Sequence, residues 1–335
     1  MSDINDFVIE DGVLKKYNGS EEIVKIPSTV TSIGICAFFA CRGLTSIEIP
    51  SSITSIGMGA FFACTGLTSI EIPSSVTSIG EQAFWDCTGL TSIKIPDSVT
   101  SIGESAFEGC TGLKEFSISQ DNEFFASVNG AIYSKDKKKL ILCLIANGAT
   151  HFSIPDGVTS IGNGAFWGCS DLTSIEIPDS VTSIGASTFA DCTGLTSIEI
   201  PDSVTSIDAY AFSGCTGLTS IEISKSVTKI GEGAFWGCTD LTSVKIPHSI
   251  TSIDNYVFKA CTGLTSIEIP SSVTSIGAGV FSGCTGLTSI EIPNSVSSIN
   301  DYAFRDCNDN LVIITSAGSC AESYAKENGI KVNLI

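Results

Sequence analysis

The stretch Leu67-Thr68-Ser69-Ile70-Glu71-Ile72-Pro73-Ser74-Ser75-Val76-Thr77-Ser78-Ile79-Gly80 decides the architecture, because versions of it recur eleven times along the chain. The period is 23 residues. Cysteines mark it: Cys41, Cys64, Cys87 and Cys110 form one series, and Cys169, Cys192, Cys215, Cys238, Cys261, Cys284 and Cys307 form a second. A fixed period of this length predicts a solenoid, whose single unit cannot bury its own apolar face and must stack on its neighbours. Within the unit, Leu67, Ile70 and Ile72 face inward and Ser69 and Glu71 outward, which predicts a strand. All ten prolines of the chain share the column of Pro73, where a fixed φ and a missing donor favour a turn; Ser224 alone breaks it. Val76 and Ile79 predict a second short strand, Gly80 a sharp corner, and Ala83-Phe84 the start of a helical or 3₁₀ turn leading to the next Leu.

Composition fits a folded repeat protein. Apolar residues are 43% and charged residues 16%, enough apolar material for a continuous core and too little charge for a disordered polyelectrolyte. The unbroken repeat predicts a single solenoid domain over residues 1–335 of about twelve coils. A formal charge of -19 argues against nucleic acid and anionic membrane surfaces, since phosphate binding needs clustered Lys and Arg. No apolar run has the length of a bilayer span, and Met1-Ser2-Asp3-Ile4-Asn5-Asp6 has neither the basic end nor the apolar stretch of a secretion signal.

The repeats occupy residues 27–112 and 155–307. Between them, residues 113–154 form an irregular coil: Cys110 and Cys169 lie 59 residues apart, two periods plus 13. Asn129-Gly130, flanked by Ala126-Ser127-Val128 and Ala131-Ile132-Tyr133, predicts a hairpin with a type I′ turn. Next to it, Lys135-Asp136-Lys137-Lys138-Lys139 is the one dense basic cluster, a solvated turn or a contact for an anionic partner. Residues 1–26 read as an N-terminal cap hairpin with Asn18-Gly19 as its turn. Residues 308–335 read as a C-terminal cap, in which Ser319 and Glu322 form a capping box for a short helix, Asn328-Gly329 stops it, and residues 330–335 form a last strand.

These features resemble the BspA-like, or treponemal-type, leucine-rich repeat proteins, whose unit is close to L-x-x-I-x-I-P-x-x-V-x-x-I-G-x-x-A-F-x-x-C. The resemblance covers residues 7–335 and includes the irregular segments Phe7-Val8-Ile9-Glu10-Asp11-Gly12-Val13-Leu14 and Val128-Asn129-Gly130-Ala131-Ile132-Tyr133-Ser134-Lys135-Asp136. The fold class is accordingly a leucine-rich-repeat solenoid with two short parallel strands and one turn per coil. Ser75 stands where the broader leucine-rich-repeat pattern has Asn or Cys, so a continuous Asn ladder is not expected. What the resemblance implies for function is a cell-surface or secreted adhesin that binds host matrix proteins or other cell-surface proteins. The alternative is a cytoplasmic interaction scaffold, and high repeat identity also leaves an engineered repeat chain without a ligand.

Catalysis is not expected. His151 and His248 are the only histidines and lie about four coils apart, no G-x-S-x-G elbow or phosphate-cradling loop occurs, and repeated carboxylates are a surface texture rather than one acid and one base. No cofactor is implied. Eleven of the fourteen cysteines share one inward corner, which predicts buried thiols rather than bridges, and the 23-residue spacing lacks the paired ligands of a metal site.

Two binding surfaces are predicted. Glu176, Glu199 and Glu222 stack on the outward column of the first strand beside the post-proline Asp156, Asp179 and Asp202. This acidic patch is either a solvated face or a site for a basic protein segment or a divalent cation. Phe39, Phe62 and Trp85 follow the Phe column in three successive coils at a position that later holds Glu108, Lys259 and Arg305, so they predict a partly exposed apolar stripe, with Trp167 and Trp236 separate. The stripe is either buried under the N-terminal cap or a contact hot spot. Columns such as Thr45, Thr68 and Thr91 invite an ice-binding reading, which the interleaved Glu column argues against.

Overall fold

The computed structural model describes residues 3–143 and 149–335, and the chain divides into two compact units: Met1–Asn147 with Gly162–Gly168, and Gly148–Ile161 with Cys169–Ile335. Each unit is built of parallel coils in which residues 23 apart sit side by side. In the first unit the strands Ile23–Lys25, Ser46–Glu48, Ser69–Glu71, Ser92–Ile95 and Glu115–Ile118 form one parallel sheet, with Ile47 beside Ile70 and Glu71 beside Lys94. The two-residue strands Ser32–Ile33, Ser55–Ile56, Ser78–Ile79 and Ser101–Ile102 form the second. In the second unit, the first-strand sheet runs from Ser197–Glu199 through Ser289–Glu291 to Val312–Thr315 and Lys331–Leu334, while His151–Ser153 pairs with Ser174–Glu176.

The third side of each coil returns the chain by turns. Phe62 and Cys64 donate to Gly59 O and Phe61 O, closing i→i+3 bonds of the 3₁₀ kind, while Gly59, Phe61 and Ala63 donate outward to Glu81 O, Ala83 O and Trp85 O of the next coil. Positive φ at Gly59 (58°) and Ala63 (56°) breaks the helical path and aims alternate N–H groups at the neighbour. Gly80 serves a different purpose from the corner expected of it: a Cβ there would lie 2.6 Å from backbone atoms of Gly57 and Met58, so glycine permits the close approach of successive coils.

Side-chain ladders tie the coils together. Phe38, Phe61, Phe84 and Phe107 stack with centroids 5.1, 5.2 and 5.3 Å apart, and Tyr17 of the N-terminal hairpin extends the stack beyond Phe38. In the second unit the stack Phe189 to Phe304 ends edge-on against Tyr324 of the C-terminal helix. The corner thiols donate to the Phe carbonyl 26 residues back, as Cys64 Sγ does to Phe38 O at 3.0 Å and Cys215 Sγ to Phe189 O at 3.0 Å. Burial pushes the Cys215 thiol up to about 12, so it stays protonated at neutral pH. In place of an Asn ladder there is a Ser ladder: Ser52, Ser75 and Ser98 donate to Val30 O, Ile53 O and Val76 O at 2.6, 2.6 and 2.7 Å. Threonine columns behave alike, with Thr68 Oγ1 and Thr91 Oγ1 donating to Thr45 O and Thr68 O. Those hydroxyl protons point along the backbone rather than into solvent, which is at odds with an ice-binding array.

At the N-terminus the hairpin turn is Asp11-Gly12 (φ 49° and 77°) between Phe7–Glu10 and Val13–Tyr17, not Asn18-Gly19. Val13–Tyr17 joins the second-strand sheet beside Ser32–Ile33, and Ile23–Lys25 already belongs to the first-strand sheet. At the C-terminus, Ser319 caps the helix Cys320–Glu327 by accepting from Glu322 N at 3.0 Å, and the Glu322 carboxylate accepts from Gly318 N. The expected inserted hairpin is present: Asn129 and Gly130 have φ of 52° and 78° between Phe125–Val128 and Ala131–Ser134, as a type I′ turn requires. Lys139–Cys143 adds a third antiparallel strand, and residues 144–148 of the irregular coil lie outside the described residues.

Candidate functional site

In the second unit, Glu176, Glu199 and Glu222 end three first strands, with Glu199 and Glu222 in register. They line an open groove together with Asp179 and Asp202; exposed Asp156 lies outside it. At ~5 Å in water, neighbouring carboxylates repel by about 0.8 kcal/mol, a modest penalty that a cationic partner would relieve. His151 stands at one end of the column, its Nε2 3.9 Å from Glu176 Oε1 and its Nδ1 2.9 Å from Ser174 Oγ. Ser224, which breaks the proline column, uses the freed position to hydrogen-bond Asp202 Oδ1 at 2.6 Å, and Lys225 Nζ lies 4.0 Å from Asp202 Oδ2. Among the described residues no group of three or more His, Cys, Asp or Glu side chains converges as metal ligands would.

In the first unit, Phe39 stacks on Phe62 at 5.1 Å and Phe62 on Trp85 at 4.4 Å. The N-terminal hairpin does not cover this stripe: it extends the neighbouring Phe38 column, and Phe39 is 55% exposed. Trp167 is not separate. Its ring meets Trp85 edge-on at 5.8 Å, although Glu108 occupies the intervening coil of the same column. That Glu is only 8% exposed, contrary to the expectation that a column accepting charge stays out of the core.

Sequence reasoning missed a second aromatic group. Tyr210, Trp236 and Tyr256 lie on three successive coils of the second unit with centroids 6.2 and 6.1 Å apart, and Lys259 Nζ sits 4.1 Å from the Trp236 ring centre. The signal was present as offsets: Tyr210 and Tyr256 precede their column Phe by two residues, Trp236 follows its own by one, and these offsets face each other across coils. A hydrogen bond to Glu232 Oε1 at 2.7 Å pushes the Tyr210 phenol up to about 12.

The basic cluster is partly committed to the fold. Lys135 Nζ donates to Asn122 O, Lys139 Nζ lies 3.7 Å from Glu104 Oε1, and the Asp136 carboxyl, accepting from Ser134 Oγ and Lys138 N, is held below its usual range.

The family model for the BspA type leucine rich repeat region matches residues 9–130, 146–265 and 251–328. Among solved structures, a leucine rich cell surface protein from Faecalibacterium prausnitzii is 29% identical, with 95% of this chain and 94% of that one covered and a TM-score of 0.56. A leucine-rich repeat protein from Eubacterium ventriosum is 24% identical over 88% of each chain (TM-score 0.64). The pneumococcal vaccine antigen PcpA is 22% identical over 94% of this chain and 79% of its own (TM-score 0.62). At these identities the last two speak for the fold alone. No curated protein matches the chain. Among the described residues no helix is long and apolar enough to cross a membrane.

Proposed function

Because the chain belongs to the BspA-type leucine-rich repeat family, we propose that it is a non-catalytic protein-recognition solenoid displayed at a cell surface, where it binds a matrix or cell-surface protein. The observation that carries this reading is the run Phe39, Phe62 and Trp85, whose rings stack across coils, with Trp167 edge-on against Trp85, all remaining partly open to solvent. Exposed aromatic rings held rigid by their neighbours are what interface hot spots are made of, since they bring large apolar area with little entropy left to lose. The cell-surface placement draws support from the Faecalibacterium prausnitzii protein, which is described as a cell surface protein.

The acidic groove of Glu176, Glu199 and Glu222 with Asp179 and Asp202 serves as a second contact, for a basic segment of the partner. Charge there acts mainly on encounter rate and specificity, and it weakens with salt. The test is binding of immobilised matrix proteins by the intact chain across a salt series. Saturable binding that Trp85→Ser weakens supports the reading; absence of binding to matrix and cell-surface proteins alike refutes it.

A further inference from the structure

The last five corners of the second unit carry an alternation that the repeat does not require. One column there reads Tyr210, Gly233, Tyr256, Gly279 and Tyr302, each 23 residues from the next. Backbone bonds from Tyr210 N to Glu232 O, Gly233 N to Asn255 O, Tyr256 N to Ala278 O and Gly279 N to Asp301 O hold them on successive coils. All five have φ between 57° and 60°, and the same corner holds Cys36, Gln82, Ser105 and Ser187 elsewhere at 52–56°, so the left-handed backbone does not select tyrosine. Glycine on the alternate coils makes room for the rings: a Cβ at Gly233 would lie 2.4 Å from Tyr210 Cε1, and one at Gly279 2.7 Å from Tyr256 Cε1. Each of these phenols is laid over the coil that follows it. Trp236 fills the interval between Tyr210 and Tyr256, and Tyr302, at the end of the row, is 61% exposed. A cation stands beside each of the last two rings, Lys259 Nζ at 5.1 Å from the Tyr256 centre and the Arg305 guanidinium at 5.3 Å from that of Tyr302.

A polar groove adjoins this row. It is lined by Glu232, which accepts from the Tyr210 hydroxyl, by Asn255, the residue before Tyr256, and by Asp254, Asn300, Ser252 and Ser275. Partly open rings in a line, next to amides, hydroxyls, carboxylates and cations, suit a ligand that presents apolar C–H faces and many hydroxyls. A sugar is such a ligand: its ring C–H groups rest on the electron-rich aromatic surface, and its hydroxyls both donate to carboxylate and amide oxygens and accept from amide and ammonium N–H groups. A polar groove gives little to the buried apolar anchors on which protein partners depend. Glu232 and Asp254 disfavour an anionic glycan. Coils ~5 Å apart place alternate tyrosines ~10 Å apart in a straight row, a spacing that an extended chain of sugars matches and a coiled one does not. We propose that this row is a binding site for a neutral, extended, β-1,4-linked glycan, with alternate sugars on Tyr256 and Tyr302 and hydroxyls in the groove. It is separate from the protein contact proposed for the first unit.

The test is calorimetric titration of the intact chain at neutral pH with cellohexaose and xylohexaose, and with maltohexaose, whose α-linkages curve the chain. At least one of the two β-linked probes should bind saturably, at least about fivefold tighter than maltohexaose. Tyr302→Ala, which removes an exposed ring, should weaken that binding about fivefold, and Tyr256→Ala at least as much. Absence of saturable binding of both β-linked probes overturns the proposal. So does equal affinity for β- and α-linked chains, a comparison made on the unaltered protein that stands even if a variant fails to fold. Binding unchanged in folded Tyr302→Ala or in folded Tyr256→Ala places the glycan elsewhere and overturns the assignment.

Discussion

Asn122 is the side chain whose loss should do most damage outside the repeat columns. It is fully buried at the point where the chain leaves the first-strand sheet. Its Nδ2 donates to Pro96 O at 3.0 Å and Val99 O at 2.9 Å, with a longer contact to Asp97 O, and its Oδ1 accepts from Phe124 N at 2.8 Å and Phe125 N at 2.9 Å. Asn122→Ala removes all of these at once. The bonds to Val99 O and Phe125 N are buried, so those groups cannot turn to water and are expensive to leave unmet, at about 1–3 kcal/mol each. The remaining bonds are part-buried, where water compensates in part. Their sum puts the loss at about 3–4 kcal/mol, at the upper end of single substitutions. For a unit of this size that is a fall in Tm of about 10 °C. The assay is urea and thermal unfolding followed by the fluorescence of Trp85 and Trp167, which lie in the same unit. Asn122→Asp keeps the acceptor but turns a carboxylate oxygen toward carbonyl oxygens, so it should be no better at neutral pH. A loss below about 1 kcal/mol for Asn122→Ala would refute the reasoning, because it would mean these bonds are remade with water or by backbone shift.

Trp85→Ser should weaken partner binding at least tenfold while costing about 1–2 kcal/mol of stability, because the ring is only half-buried; a large stability loss with binding retained would identify it as packing. Replacing Glu176, Glu199 and Glu222 together by Gln should flatten the salt dependence of binding and leave stability equal or slightly higher, as repulsion is relieved; surface plasmon resonance across a salt series reads the first and urea midpoints the second. The corner thiols predict an alkaline limit. Burial raises Cys215 to about 12 and Cys307 to about 11 from an ordinary 9.0, so the folded state keeps a proton that the unfolded chain releases. Their contribution is complete below pH 9 and lost as pH climbs toward 11–12, roughly 1.4 kcal/mol per thiol by pH 10. Unfolding midpoints should therefore fall between pH 9 and 10, and an unchanged midpoint would contradict the buried ladder.

Much of the fold is legible because repetition turns sequence offsets into spatial neighbours. Once residues 23 apart are known to stack, the partners of Ile70, Phe61 and Glu199 follow without any coordinates. The acidic column and the Phe39, Phe62, Trp85 run were readable for the same reason. Local turn chemistry was legible at Asn129-Gly130 and misread at the N-terminus, where Asp11-Gly12, an equally good type I′ pair, closes the hairpin instead of Asn18-Gly19.

Taken alone, the sequence determined the period, the inward and outward columns and the family, since these depend on which residue types recur at which spacing and a stacked coil has one way to bury them. Tertiary structure alone decided everything that depends on contacts the period does not generate. The meeting of Trp85 and Trp167 and the burial of Glu108 arise where the insertion interrupts the repeat, and there neighbours are set by chain path rather than by offset. The direction of the serine and threonine hydroxyls was likewise beyond the sequence, because a side chain one bond from the backbone can face water or the next coil's carbonyl, and only the packed coil spacing selects between them.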